Sequence, residues 1–210
     1  MRTVITHILL AVLVSASSQA QNSNIFSMAS PKLKQFLTAH PKASSTMSNV
    51  LSEAFSNRTV QLNYFYSNDE SAAKAYHYFP DESSVCIVIR ENQLPCDECI
   101  CLIFEMLNSE GEKRFLELAN MAKSGTVQKG DFVNEIRRQE FQAAKRMRTL
   151  LANFELSKKE KVKSCYYNNV IQSPNIFEQF LTYTKNLSPQ YYEQQTKHYE
   201  QEYDSLRKSP

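Results

Sequence analysis

Cys96-Asp97-Glu98-Cys99-Ile100-Cys101-Leu102-Ile103-Phe104-Glu105-Met106-Leu107-Asn108 is the stretch on which the architecture turns. Read as a helix capped by Asp97 and running to about Asn108, it carries Ile100, Leu102, Ile103, Phe104, Met106 and Leu107 on nearly every side. A helix that is apolar all round is a buried one, so the rest of the chain is expected to wrap it. Immediately upstream, Val60, Leu62, Tyr64 and Tyr66 alternate with polar neighbours, which is a strand pattern. Tyr76-His77-Tyr78-Phe79 and Val85-Cys86-Ile87-Val88-Ile89 make two more strands, joined by a hairpin connection at Pro80-Asp81-Glu82-Ser83-Ser84.

Helices are expected on both sides of these strands. Ser30-Pro31 opens a short one that ends at His40-Pro41, and Met47, Val50, Leu51 and Phe55 carry a second over 44–55. Downstream, 113–123 predicts a helix closed by Gly125, and Asp131 opens a long one to about Leu156. Past Lys158 apolar residues thin out, and two outer helices are expected near 175–185 and 189–206. The fold class is therefore α+β: a mainly helical single domain with a small, partly antiparallel sheet of about three strands. Its core is expected in 21–157, with 158–210 as a peripheral helical extension.

A chain of 210 residues that is 42% hydrophobic can bury the core of one domain. Its 24 Lys and Arg against 22 Asp and Glu give no reason to expect a nucleic-acid partner. The charges are unevenly placed: 67–117 holds eleven acidic and four basic residues, 129–163 ten basic and five acidic, and the two are expected to complement each other within the domain. Residues 1–20 combine Arg2, an apolar run from Ile8 to Val14 and a small-residue end, Ser18-Gln19-Ala20. That is the layout of a cleavable secretory signal, which implies cleavage near Ala20-Gln21 and a secreted or periplasmic protein. No later segment is apolar enough to cross a membrane, so the mature chain is expected to lack an integral membrane segment.

Outside the cytosol, thiols that lie close together form disulfides. Cys86, Cys96, Cys99 and Cys101 are the candidates, and with Cys165 the count is odd. A single C-x-x-C lacks the second pair that structural zinc uses, although a structural or redox role for the 96–101 cluster stays open.

Two carboxylates sit on apolar faces. Glu105 interrupts the most hydrophobic helix, with Asn108 close by on the same face, and Glu140 shares a stripe with Ile136, Ala143 and Met147. A lone buried carboxylate is too costly to keep, so each needs a partner. Either they are structural ion-pair members, with Arg137, Arg138 or Arg90 as partners, or they line one polar pocket inside the core.

A short helix, edge-type strands and then an internal helix with a Glu among aliphatics resembles the small zincin metallopeptidases over about 58–150. Their H-E-x-x-H motif sets two zinc-ligating His and a general-base Glu on that helix. Phe104-Glu105-Met106-Leu107-Asn108 keeps the Glu but has Phe104 and Asn108 at the ligand positions. Glu140-Phe141-Gln142-Ala143 looks like the helix that supplies a third ligand in some members. The resemblance thus implies a member without catalytic zinc and no cofactor, with His77 placed to reach the site from the adjacent strand. Three functions are expected to compete: a secreted, non-catalytic domain holding a protein or peptide partner in a vestigial cleft, a hydrolase using Glu105 and Glu140 as an acid/base pair, and a structural or redox role for the cysteine cluster.

Overall fold

The structure is a computed structural model describing residues 25–55, 58–68, 74–81 and 83–208, so the expected signal sequence lies outside the described residues. Helices α1 (Pro31–Ala39) and α2 (Pro41–Ala54) precede strands β1 (Thr59–Phe65), β2 (Ala75–Asp81) and β3 (Ser84–Arg90). Seven helices follow: α3 (Pro95–Ser109), α4 (Glu112–Ser124), α5 (Lys129–Leu151), α6 (Lys158–Lys163), α7 (Cys165–Gln172), α8 (Phe177–Leu187) and α9 (Pro189–Lys208). The chain is mainly helical around one small sheet, the expected α+β class.

The sheet runs β1-β3-β2, with β3 parallel to β1 and antiparallel to β2. β3 takes the centre because its apolar run can be covered on both faces, and only Arg90 escapes burial. Val85, Ile87 and Ile89 join the main core with Ile100, Leu102 and Ile103 of α3. Strand alternation sends Cys86 and Val88 to the other face, where their register partners are Tyr78 and Tyr76.

α3 is the buried hub, with twelve of its fifteen residues buried. It packs against α1, α2, β2, β3, α5 and α7. The helix does not begin at an Asp97 cap. It starts with Pro95, whose missing N–H costs nothing at a helix start, and Asp97 lies in its first turn. That carboxylate serves another helix: Oδ1 accepts from Ser164 Oγ at 2.5 Å and from the Tyr166 backbone N–H at 3.2 Å, tying down the start of α7. Asp131 likewise lies in the first turn of α5, whose N-cap is Gln128. α5 ends at Leu151 instead of near Leu156, and Phe154 and Leu156 turn back into the core. Gly125 closes α4 at φ 75°, the left-handed geometry that favours glycine. Arg146 of the basic stretch pairs with Glu110 and Glu53, so part of the charge asymmetry is spent inside the domain.

Beyond Lys158 four helices form where two were expected. Ser157 and Glu160 make a reciprocal capping box for α6, and Ser164 caps α7. The segment is pinned at a few apolar points: Val170 in the main core, Phe177 and Phe180 against Phe141, and Tyr203 against Phe132. Tyr203 also donates its hydroxyl to the Val127 carbonyl at 2.9 Å.

Asp97→Ala should cost about 1–3 kcal/mol by stripping the buried acceptor from Ser164 and Tyr166. Hydrogen exchange should speed up across 165–172 more than in α3, and Asp97→Asn, which keeps an acceptor, should lose less. Equal protection of α7 in wild type and Asp97→Ala would refute the capping role.

Candidate functional site

α3 packs on α5, and α7, α8 and α9 pack on α5 in turn. Between them lies a cavity of about 510 Å³. Tyr166, Tyr183, Tyr191, Phe104, Phe180 and Val170 give it aromatic and aliphatic walls. Glu105, Glu140, Arg137, Lys74 and Gln195 are among its polar lining. The two carboxylates singled out in the sequence therefore meet at one cavity.

Glu105 reaches it from α3, in the position its apolar helix demanded, and finds its partner on the sheet. His77 Nδ1 lies 2.7 Å from Glu105 Oε2. β2 is placed for this by its pairing with β3, which sets His77 opposite Ile87. Asn108, expected beside Glu105, borders a separate groove with Gln139 and Arg146. The reason is axial: Asn108 shares the face but stands about 4.5 Å further along the helix, past the stretch of α3 from Ile100 to Glu105 that lines the cavity.

Glu140 is held by α9. Its Oε1 accepts from Gln195 Nε2 at 2.8 Å and from the Tyr199 hydroxyl at 2.5 Å. Arg137 Nη1 stands 3.9 Å from Oε2, a charge contact beyond hydrogen-bond range. The expected tight ion pair is thus a looser one, because Arg137 is occupied elsewhere. Its Nη2 donates to Thr196 Oγ1 at 2.7 Å and to the Tyr192 carbonyl at 3.2 Å, its Nη1 to Gln195 Oε1 at 3.3 Å. The guanidinium also lies 3.8 Å from the centre of the Tyr192 ring. The partners Gln195, Thr196 and Tyr199 carry no signal in the sequence beyond i, i+4 spacing on a polar, tyrosine-rich helix.

Although 12% of the Glu140 side chain is exposed, burial pushes its pKa above the usual carboxylate value and the Glu105 charge adds to the rise. The Tyr199 hydrogen bond, Arg137 and His77 oppose it. Burial also pushes the Tyr191 and Tyr199 hydroxyls far up, so both stay protonated donors.

The five cysteines are unpaired, and no bond of the kind expected among Cys86, Cys96, Cys99 and Cys101 is present. Cys86 lies on the far face of the sheet, where Asn63 Nδ2 approaches its sulfur at 3.1 Å, so β3 itself separates it from the α3 thiols. Burial raises Cys96 to about 12 and holds Cys99 and Cys101 well above the ordinary thiol value. The thiolate is the redox-active and metal-binding form, and here it is strongly disfavoured. Among the described residues no three His, Cys, Asp or Glu side chains converge as a metal site. No helix among them is long and apolar enough to cross a membrane.

The Glu140 shift has a definite sign. The folded protein holds this proton more tightly than the unfolded chain, so the contribution to stability is full below the ordinary Glu value and is lost as pH rises through the raised one. Glu140→Gln has nothing to titrate there. Urea melts should find it within about 1 kcal/mol of wild type near ~pH 4.5 and gaining on wild type toward ~pH 8. A variant that falls further behind as pH rises would show that Glu140 works as the anionic half of a tight pair.

No family model matches the chain, and neither curated proteins nor solved structures yield a match, so the site is read from its own geometry.

Proposed function

We propose that this protein is an exported, non-catalytic binding domain that holds a small organic molecule in the cavity bounded by α3, α5 and α7–α9. The observation that carries the reading is the cavity itself. Its volume of about 510 Å³ falls in the range of small-molecule sites, and its apolar walls enclose a few polar groups fixed by neighbours. Glu105 is held by His77, Glu140 by Tyr199 and Gln195, Arg137 by Thr196 and Tyr192, so the polar groups are oriented before any ligand arrives. The zincin resemblance enters only through its departures, Phe104 and Asn108 at the ligand positions. Export rests on the 1–20 layout, and sequencing of the native N-terminus should begin at or near Gln21. A retained Met1 would remove that part of the reading.

A second reading is favoured by one observation. Glu140 with a raised pKa beside Glu105 paired to His77 is what an acid/base couple needs. The engaged Glu140 Oε1, however, already accepts two hydrogen bonds and is poorly placed to exchange a proton with a substrate.

The neutral dye N-phenyl-1-naphthylamine tests the cavity directly. It should bind at one site with enhanced fluorescence. Thr184 lines the cavity and donates its hydroxyl only within α8, so Thr184→Trp should fill the space without breaking a contact between elements. The variant should bind the dye at least about tenfold more weakly with an unchanged melting temperature. Unaltered dye binding in Thr184→Trp would sink the proposal.

A further inference from the structure

We infer that the cavity selects a small organic cation: an ammonium group on an aromatic or aliphatic body. The inference rests on the cavity being the ligand site and adds the chemistry that it selects. It follows from which polar atoms around the cavity are already satisfied.

Each carboxylate is half used. Glu105 Oε2 has His77, and Glu140 Oε1 has Gln195 and Tyr199. Among the described residues, no hydrogen bond reaches the second oxygen of either, and Arg137 Nη1 stands 3.9 Å from Glu140 Oε2. Neither oxygen is closed off, so both are open to a donor that enters the cavity. An ammonium supplies three donors and the opposite charge in one group. The walls beside them present the rings of Tyr166, Tyr183 and Tyr191, and aromatic faces attract a cation over a neutral isostere.

The cations at the cavity do not use up these oxygens. Arg137 is almost wholly buried, its Nη atoms are engaged on α9 and its Nε is closed off from the cavity. Lys74 also lines the cavity but forms no ion pair with Glu105 or Glu140. A ligand carboxylate could meet Lys74 but would stand against both Glu105 and Glu140, whereas an ammonium meets two half-open carboxylates.

Three isosteres decide the matter by displacement of N-phenyl-1-naphthylamine from the full chain: tyramine, the neutral tyrosol and the anionic 3-(4-hydroxyphenyl)propanoate. They share the phenol and differ at the charged end. Tyramine should bind at least about tenfold more tightly than tyrosol, and the propanoate most weakly. Glu105→Gln should erase the preference by bringing tyramine down to the level of tyrosol, and Glu140→Gln should reduce it. The wild-type order alone is decisive if a variant fails to fold. A preference for the propanoate, or no preference, overturns the cation inference while leaving the cavity as the ligand site. Failure of all three to displace a dye that does bind overturns it as well. Failure of the dye itself to bind overturns the cavity reading beneath it.

Discussion

Burying α3 on every side leaves its acidic side chains without water, and this constraint organises much of the molecule. Each buried carboxylate on that helix must draw a donor from a different neighbour, and each does. Asp97 takes the Ser164 hydroxyl and the Tyr166 N–H, which fixes the start of α7. Glu98 accepts from the Tyr64 hydroxyl at 2.6 Å and from Ser30 Oγ at 2.9 Å, which docks β1 and the cap of α1 against the same helix. Glu105 takes His77 of β2. The apolar surface of α3 drives it inward without direction; its three acids decide which side of it each neighbour occupies.

The second half of the chain repeats the device on α5. Arg137 and Glu140, one turn apart, face α9 together and bind Tyr192, Gln195, Thr196 and Tyr199 from it. α9 has only Tyr203 fully buried, so apolar burial alone would hold it weakly. The polar cluster, partly enclosed and rich in charge-assisted hydrogen bonds, carries the attachment instead. The cavity is the space left where the α3 network and the α5 network approach without merging. Glu105 and Glu140 both belong to it because each lies on the face of its helix that turns toward the other network.

The buried helix and the three strands are legible in the sequence because each has an unmistakable period: all-round apolarity for α3, alternation for β1, a short apolar run for β3. That Glu105 and Glu140 need partners is legible for a related reason, since a carboxylate on an apolar stripe has to be explained by a neighbour; whether they pair with arginines or share one pocket is not. His77, which the resemblance implies can reach the site from the adjacent strand, meets Glu105 through the hairpin that pairs β2 antiparallel with β3. That β3 lies between β1 and β2 is a strand order that no local pattern in these segments encodes. Asn108 fails as a pocket residue because sharing a helix face with Glu105 says nothing about how far along α3 the cavity reaches. Cys86 and the α3 cysteines are close in sequence, but the alternation of β3 puts Cys86 behind the sheet. The α6 helix is missed because the apolar residues that usually follow a capping box such as Ser157 with Glu160 are missing.

What surrounds the cavity is unequal, and that inequality bears on how a ligand enters. One side is α3, the most buried element of the chain. The other is α7 to α9, attached through Asp97, the Phe141–Phe177–Phe180 cluster, the Arg137–Glu140 network and Tyr203. Local opening takes place where few buried contacts must be broken, so the C-terminal helices are the side expected to open first. A ligand of the kind proposed, meeting the open oxygens of Glu105 and Glu140, would bridge the two sides, because Glu105 belongs to α3 and Glu140 holds α9 through Gln195 and Tyr199. Its binding free energy then opposes the same opening that admits it. On the proposed reading, the C-terminal helices suit such a site: few apolar contacts hold them, and polar groups that are half satisfied before a ligand arrives face it from their side.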